Sequence, residues 1–431
     1  MNQNEKFNTL PPSENAVDDN KKSNWIVCLV TTLFLIGAIA AIPITISVFK
    51  KQITVATPMF QTTTLGQTLS MISTQTTTQQ PVVTITMNDT FTDLCKIHSI
   101  EIENNNVNPP ESLMVIVDIN KDNRPDVVLA VGKDLRVFKN IDGSKFTRQL
   151  IYSPMRIPLF MVAVDINRDN KLDIIAMYSD QCRISIIFIN DNYTFIDQIC
   201  IVNNSRLNNI AVIDVNEDNN PDIIVTNYEI NTIGILFNNG NGTFTDQKMY
   251  TLAFEPCHIK VIDINNDNKS DIIVADIGEN FAILFNNGNG TFINQTTYLT
   301  DDIAYSLDTA DMNNDNKIDI ILVWDGTFAI LFNLGNSKFS APVKYFFDFR
   351  STHLTIAYVN ADNKLDIIFL PINEEKFFIY FNKNNGIFTD FKTFQINYVS
   401  KQITMADIDN DGKMEVIFRH DWGIKILTFN C

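Results

Sequence analysis

Acidic and amide side chains recur at fixed positions within a nine-residue segment, and their oxygen atoms are the ligands that a hard cation prefers. The clearest copy runs from Asp263 to Asp271 and places oxygen-bearing side chains at its first, third, fifth and ninth positions. Calcium takes about six to eight oxygen ligands in a loose shell, which a tight loop with alternating carboxylates supplies, together with a main-chain carbonyl at position seven. We therefore expect a calcium loop in which Asn268, at position six, adopts the left-handed backbone of a sharp turn.

The segment occurs seven times at nearly constant spacing. Its copies begin at Asp118, Asp165, Asp214, Asp263, Asp311, Tyr358 and Asp407, so successive copies start 47 to 49 residues apart. A period this regular is typical of a repeat architecture. The alternative is that each segment is an Asx turn without an ion, which is easier to accept for one copy than for seven.

Two copies differ from the common pattern. Tyr358 replaces the first carboxylate of the sixth copy, so we expect a weak or empty site there. The seventh copy has an extra carboxylate at Asp409 and a glycine, Gly412, at the turn. The candidate metal ligands, with the main-chain carbonyl used at position seven, are Asp118, Asn120, Asp122, Arg124 and Asp126; Asp165, Asn167, Asp169, Lys171 and Asp173; Asp214, Asn216, Asp218, Asn220 and Asp222; Asp263, Asn265, Asp267, Lys269 and Asp271; Asp311, Asn313, Asp315, Lys317 and Asp319; Asn360, Asp362 and Asp366; and Asp407, Asp409, Asp411, Lys413 and Glu415.

The loops are not EF-hands, because an EF-hand needs a bidentate Glu at position twelve and flanking helices. Position twelve is apolar in every copy, as Leu129, Ala176, Val225, Val274, Leu322, Phe369 and Phe418 show. The segments that follow are rich in β-branched residues, which predicts strands.

Each repeat unit predicts four short strands. In the fourth unit they cover residues 258–264, 271–276, 281–285 and 291–298, with the acidic loop between the first two and an Asn/Gly hairpin turn at 286–290 between the last two. Four strands per unit of this length indicate a blade, and hence an all-β, seven-bladed β-propeller over residues 91–431. The final unit stops after its third strand, whereas residues 90–94 match the start of the fourth strand at 243–247. We expect this leading strand to complete the last blade and close the ring, which removes exposed edges.

The loop motif Asp-x-Asn-x-Asp-Asn-x-x-Asp with its apolar strand resembles the FG-GAP/VCBS repeats of the integrin α-subunit type of propeller. The VCBS-like branch fits better, since a clear Phe-Gly…Gly-Ala-Pro pair is absent. The resemblance implies structural calcium in about six blades, a seventh weak site, and a surface module for adhesion or recognition.

The region before the repeats predicts a membrane anchor. Residues 1–24 resemble a disordered tail, and residues 25–49 carry no charge over a length sufficient to span a bilayer. Residues 50–90 form a Thr-rich stalk or flexible linker. We expect a single-pass type II protein of the cell membrane with a cytoplasmic tail. A cleaved signal peptide, which would make the propeller a secreted protein, is the alternative.

Cysteines and glycosylation acceptors favour an extracellular propeller. Expected strand pairing across the second hairpin places Cys182 opposite Cys200, which predicts a disulfide, and a second bridge between Cys95 and Cys431 would join the closing strands. Asn-x-Ser/Thr acceptors at Asn241 and Asn289 lie in expected hairpin turns, where a glycan fits. Further acceptors are Asn88, Asn192, Asn203, Asn268 and Asn294.

Charge and composition narrow the function. The net charge of −17 is mostly accounted for by 21 acidic residues at loop ligand positions, and nucleic-acid binding needs basic stripes that this chain lacks. The four histidines form no catalytic motif, which argues against an enzyme. The face opposite the acidic loops carries aromatic residues beside acids, and these either bind a partner or only pack the blade edges. The aromatic residues are Tyr178, Tyr228, Trp324 and Trp422, and the acids are Asp180, Glu229, Asp325, Glu374 and Asp421. An extracellular protein or a glycan is the expected partner; a lectin-like propeller is the main alternative to a protein-binding one, and an extracellular enzyme is a further one.

Overall fold

The computed structural model describes residues 96–430, apart from 104–111, 133, 144, 154–156, 179–182, 190–194, 202–205, 277, 300–303, 305, 325, 361, 390 and 421–422. The predicted tail, span and stalk, and Cys95, Cys182 and Cys431, lie outside the described residues. Within the described residues, no helix has both the length and the apolar character needed to cross a membrane.

Seven four-stranded antiparallel sheets account for the fold, and they confirm the predicted seven-bladed propeller. The first three blades comprise β2 Ser112–Val117, β3 Asp126–Val131, β4 Asp134–Asn140 and β5 Phe146–Tyr152; β6 Phe160–Val164, β7 Asp173–Tyr178, β8 Arg183–Ile189 and β9 Phe195–Ile201; and β10 Leu207–Ile213, β11 Asp222–Asn227, β12 Thr232–Leu236 and β13 Lys248–Thr251. A single 3₁₀ turn, Tyr228–Ile230, follows β11.

The next three blades comprise β14 His258–Ile262, β15 Asp271–Ala275, β16 Asn280–Asn286 and β17 Phe292–Leu299; β18 Ser306–Ala310, β19 Asp319–Trp324, β20 Thr327–Leu331 and β23 Val343–Phe346, with the short β21 Asn333–Gly335 and β22 Lys338–Phe339 in the hairpin; and β24 Ser351–Ala357, β25 Asp366–Pro371, β26 Lys376–Tyr380 and β27 Phe391–Gln395. The four predicted strands of the fourth blade are thus confirmed, with ends shifted by one or two residues.

The seventh blade joins the two ends of the repeat region. It comprises β28 Ser400–Ala406, β29 Glu415–His420, β30 Gly423–Asn430 and, as its fourth strand, β1 Lys96–Glu103. Lys96 pairs with Asn430, and Glu103 pairs with Gly423. Closure by a leading strand is confirmed. The described part of this strand starts at Lys96, and residues 90–94 lie outside the described residues. In the third blade, residues 243–247 precede β13.

The core lies between the blades. The second strand of every blade is buried along its whole length, because both of its faces pack against neighbouring sheets. Its β-branched composition suits this position. Hydrophobic clusters that contain residues of two blades confirm the interblade packing. For example, Ile417 and Ile426 of the seventh blade pack with Val127 and Phe138 of the first.

Candidate metal centre

Each acidic loop connects the first and second strands of its blade through a backbone that enters the left-handed region, and six of the loops are described as entering it twice. Position six has a positive φ in all seven loops, as predicted, at Asn123, Asn170, Asn219, Asn268, Asn316, Asn363 and Gly412. Position four is also left-handed in six loops, at Lys121, Arg168, Glu217, Asn266, Asn314 and Asn410, which the sequence analysis missed. Asn and Gly adopt this backbone conformation at a small cost in free energy, and the cost is larger for Lys, Arg and Glu.

The carboxylate at position one folds the loop around itself. In the fourth loop, Asp263 accepts hydrogen bonds from the main-chain N–H groups of Asp267 at 3.0 Å and Asn268 at 2.6 Å. The first, second, fifth and seventh loops repeat both bonds, through Asp118, Asp165, Asp311 and Asp407. A carboxylate has about four lone-pair positions, so each oxygen that accepts one N–H keeps capacity for a cation.

Positions three, five and seven are linked by similar hydrogen bonds from main-chain N–H groups to side-chain oxygens. Asn265 Oδ1 accepts the N–H of Asp267 at 2.9 Å, and Asp267 Oδ1 accepts the N–H of Lys269 at 3.0 Å. These bonds bring the first, third and fifth side chains around one turn. The ammonium groups of Lys269 and Lys317 lie 3.9 Å and 2.9 Å from the position-five carboxylates of their own loops. Such partly exposed pairs contribute little to stability.

The acidic side chain at position nine differs from the others because it is buried. Asp271 is 0% exposed, and its two oxygens accept the N–H groups of Ile264 at 3.3 Å and Asn286 at 2.8 Å. Asp126, Asp173, Asp222, Asp319 and Asp366 are anchored in the same way. Position nine therefore joins the start of its own loop to the end of the third strand.

Burial gives these carboxylates unusual protonation behaviour. Desolvation, reinforced by the neighbouring carboxylates of the same loop, raises the pKa of Asp271 to about 6 and the pKa of Asp173 to about 7, against the lowering effect of their main-chain hydrogen bonds. The pKa of Glu415 rises to about 7 for the same reasons. The loops thus concentrate negative charge at a partly desolvated point, which a divalent cation would relieve.

The seventh loop offers the clearest fit to a cation. Asp407, Asp409 and Glu415 each place one carboxylate oxygen within 4.8 Å of the other two. Glu415 Oε2 accepts the N–H of Ile408 at 2.7 Å, while Glu415 Oε1 is buried and has no hydrogen-bond partner. An unsatisfied buried carboxylate oxygen beside two further carboxylates is the donor set that calcium prefers.

The sixth loop departs from the others, in line with its altered sequence. Tyr358 is 55% exposed and contributes no carboxylate. Asn360 Oδ1 is buried without a hydrogen-bond partner, because the N–H of Asp362 contacts the main-chain oxygen of Asn360 instead. Of the bonds that positions one, three and five accept in the other loops, the described residues keep only the one from the N–H of Lys364 to Asp362 Oδ1, at 3.0 Å. Asp366 at position nine keeps its bonds from Val359 and Asn382.

In the described residues, an asparagine at the end of the third strand connects five of the loops to the next blade, and the sequence analysis did not identify it. Asn286 of the fourth blade donates its Nδ2 to the carbonyls of Ser270 at 3.0 Å and Val215 at 2.8 Å, the latter at position two of the third loop. Its Oδ1 accepts the N–H of Gly288 at 2.9 Å. The equivalent bonds to the preceding blade come from Asn140, Asn238, Asn333 and Asn382.

The signal for this contact was present in the sequence. Asn140, Asn190, Asn238, Asn286, Asn333, Asn382 and Asn430 recur at the period of the loops. Asn140 donates to Ile408 at 2.8 Å, so the contact also crosses the ring closure between the first and seventh blades. At these five blades the hairpin turn therefore lies against the acidic loop of the preceding blade, so loops and hairpins share one face there.

The opposite face decides between the two interpretations of its aromatic residues. Tyr178, Tyr228 and Trp324 are 2%, 4% and 2% exposed, so these three aromatic residues pack the blades instead of forming a binding surface. Glu229 is exposed, whereas Trp422, Asp180, Asp325 and Asp421 lie outside the described residues.

The predicted register of the second hairpin is wrong. Cys200 pairs with Ile184, two residues away from Cys182 along the strand. This register shifts the expected partner of Cys200 along the strand, and the bridge between Cys182 and Cys200 stays a prediction.

Comparison with known proteins supports the fold and identifies the repeats. Solved structures that resemble the chain include BBS1N in complex with ARL6DN (TM-score 0.56, 11% identity, 80% of this chain and 96% of that chain) and an Agrocybe aegerita lectin that recognises non-reducing terminal N-acetylglucosamine (TM-score 0.53, 17% identity, 74% and 85%). A streptogramin B lyase is similar to the same extent (TM-score 0.53, 15% identity, 78% and 98%). At these identities the likeness shows the propeller fold alone.

No curated protein matches the sequence. The model of the FG-GAP-like repeat matches residues 118–176, 214–274, 263–322 and 358–418, which together cover more than half of the chain. Each matched segment begins at the start of an acidic loop. The chain belongs to the family of FG-GAP-like repeat proteins.

Proposed function

We propose that this propeller is a calcium-stabilised recognition module without catalytic activity, in which each ion holds the first two strands of a blade together. The observation that carries the proposal is the buried, unpartnered Oε1 of Glu415 beside Asp407 and Asp409. A calcium ion would satisfy this oxygen and offset the charge of the three carboxylates, and six of the seven loops share the ligand pattern.

The same ions would stabilise the ring as a whole. Position two of each loop donates its N–H to the position-nine acid, and in the described contacts its carbonyl accepts from the asparagine of the next blade. Calcium held at positions one to nine would therefore fix the residue at position two, whose carbonyl makes the interblade contact. We propose a structural role for calcium on this basis.

A recognition role suits a rigid scaffold whose loops vary while its sheets repeat. Both a lectin and a lyase share this fold, so the fold alone separates neither function. Against catalysis, the imidazole of His258 is buried beside Lys260 with its pKa lowered to about 4 by desolvation, and no carboxylate in the described structure orients it as a general base.

We further propose that the propeller faces the outside of the cell on a single-pass anchor, and that its partner is a protein or a glycan. Two glycosylation acceptors support this placement, because Asn241 and Asn289 are exposed in hairpin turns. In both, the following Thr donates its hydroxyl to the Asn Oδ1, which leaves the amide nitrogen free of that contact.

The proposal is tested by capture of partners from cell-surface extracts with the full chain, with calcium and with a chelator. We expect partners that are retained only with calcium and lost when Asp407 and Asp409 are changed to Asn. Capture that is identical in chelator, together with unchanged thermal stability, would contradict it. The chain with Asp246→Asn, an exposed acid outside the loops, is the matched control.

A further inference from the structure

A cavity of about 400 Å³ lies among the innermost strands of the second to sixth blades. This volume is within the range of sites that hold small molecules. Polar residues stand at the start of four successive inner strands, on the side away from the acidic loops: Asn209 in β10, His258 in β14, Ser306 in β18 and His353 in β24. Apolar residues of the same strands continue the wall toward the loops.

Backbone irregularities mark the same end of the cavity. The register of β10 shifts between Leu207 and Ile210, and the register of β24 shifts between Ser351 and His353. Bulges of this kind re-aim side chains and are common at rims and beside functional sites. Asn209 and His353, which line the cavity, both lie at these two shifts.

An ion pair crosses the cavity wall between two blades. Lys260 Nζ of the fourth blade lies 2.8 Å from Asp308 Oδ1 of the fifth, and both side chains are partly exposed, at 41% and 25%. Asp308 Oδ1 also accepts the N–H of Thr309, so its second oxygen is left with acceptor capacity. Asn209 uses its Oδ1 for the N–H of Ile210, and in the described hydrogen bonds its Nδ2 donates to nothing.

The cavity therefore presents a carboxylate oxygen, an ammonium group, an amide N–H and a hydroxyl, with no net charge from the ion pair, above an apolar floor. A charged ligand would face the like-charged member of the pair at short range. Hydroxyl groups both donate and accept, so they match the mixed set without breaking the pair. Phe160 and Leu354, apolar wall residues that are partly exposed, suit the C–H face of a ring.

We infer that this central cavity binds a neutral polyhydroxylated molecule of about monosaccharide size, held by Asp308, Lys260 and Asn209. The inference rests on the proposed recognition role and names a ligand class for it. It places the ligand in the channel, on the side away from the candidate calcium loops.

The test is calorimetric titration of the full chain, in calcium, with the methyl glycosides of glucose, galactose, mannose and N-acetylglucosamine. We expect at least one glycoside to bind, and Asp308→Asn to weaken it about tenfold or more, since a hydrogen bond to a charged group is lost. Asp246→Asn should leave the affinity unchanged. If Asp308→Asn loses its cooperative unfolding transition, Asn209→Leu takes its place with the same expectation.

Three results would overturn the inference: no glycoside binds at millimolar concentration, the affected and control variants bind alike, or acetate or glycine binds more tightly than every glycoside. Calcium uptake, measured in the same calorimeter before the glycosides are added, reports the proposed function separately. Uptake of calcium without glycoside binding would refute the proposed cavity site and leave the proposed role of calcium intact.

Discussion

Asn286 of the fourth blade donates its side-chain amide to the carbonyl of Val215 in the acidic loop of the third, across 2.8 Å. Val215 also donates its own main-chain N–H to Asp222 at 3.1 Å. These two buried bonds link the acid of one loop, through the residue at position two, to the next blade. The described residues repeat this link at five of the seven loops, where it holds neighbouring sheets together at the face that carries the loops.

Replacing Asn286 with Ala should lower the free energy of unfolding by about 2–4 kcal/mol. The change leaves the carbonyls of Val215 and Ser270 and the N–H of Gly288 without partners in a buried place. Chemical denaturation of the full chain measures the loss. Asn287→Ala, at the exposed neighbouring position in the same turn, should change it by less than about 0.5 kcal/mol. Equal effects of the two variants would show that the interblade contact contributes nothing.

Stability should depend on pH in an unusual direction when calcium is removed. The pKa of Asp271 is about 6 in the folded chain and near 3.8 when exposed, so the folded state binds its proton more tightly. The stabilisation that protonated Asp271 provides is complete below about pH 4 and is lost as the pH rises through about 6. Thermal unfolding in chelator should therefore show a smaller decline between these values for Asp271→Asn than for the unchanged chain.

Calcium reverses this behaviour if it binds at the same acids. The ion competes with the proton, so in excess calcium the unchanged chain should no longer lose stability over that interval. The control is Asp246→Asn, whose pH dependence should match that of the unchanged chain in both conditions. Parallel curves for Asp271→Asn and the unchanged chain in chelator would contradict the assignment of the raised pKa to this carboxylate.

A glycine in a hairpin turn can allow one blade to approach the next closely, because it has no Cβ. Gly143 of the first blade has a φ of +79°, and a Cβ there would lie 2.5 Å from Asp409 Cβ and 2.8 Å from Asp409 Cα. Gly335 has a similar φ of +81°, but a Cβ there would meet only the flexible side chain of Lys317, with Cε at 3.5 Å and Cδ at 3.9 Å. Both alanine variants pay for the left-handed backbone, about 1–2 kcal/mol.

Gly143→Ala should therefore lose about 1–3 kcal/mol more stability than Gly335→Ala, because only the first forces two blades apart. Denaturant unfolding of the two variants measures the difference. A Gly335→Ala variant as unstable as Gly143→Ala would mean that backbone strain, and not interblade packing, fixes these glycines.

Ring closure predicts a covalent bond at the joined ends. The last described pair, Lys96 with Asn430, brings together the immediate neighbours of Cys95 and Cys431. We expect peptide mapping under non-reducing conditions to recover a Cys95–Cys431 disulfide, and Cys431→Ser to lower the thermal midpoint in oxidising buffer but not in reducing buffer. Recovery of both cysteines as free thiols from secreted material would refute this.

The period of the loops was enough to predict the propeller, because each unit repeats both a tight acidic turn and an apolar strand. The left-handed backbone at position six followed from Asn and Gly, but the same conformation at Lys121, Arg168 and Glu217 did not, since these residues rarely adopt it. Whether the aromatic residues of the opposite face are exposed also depends on tertiary packing. Trp324 is buried by neighbouring sheets, which no local sequence pattern shows. Asn286 was visible as a turn residue, and only its long-range bond to Val215 showed its second role.

A variant of the sixth loop tests whether the ligand pattern, and not the fold alone, determines calcium binding. Tyr358 is exposed, and the buried Oδ1 of Asn360 has no hydrogen-bond partner. Tyr358→Asp therefore restores the position-one carboxylate in a loop that already holds an unpartnered oxygen. We expect this variant to bind one more calcium ion than the unchanged chain in equilibrium dialysis. Tyr358→Asn, which adds no charge, should bind that ion more weakly. An unchanged stoichiometry in Tyr358→Asp would show that the sixth loop cannot form a site.

Calcium uptake by the full chain is the most direct test of the account. Isothermal titration of chelator-treated protein should show about six ions bound per chain, with one fewer after the paired change Asp407→Asn and Asp409→Asn. No heat of binding at millimolar calcium, with an unfolding temperature that calcium leaves unchanged, would contradict the claim that the acidic loops are cation sites.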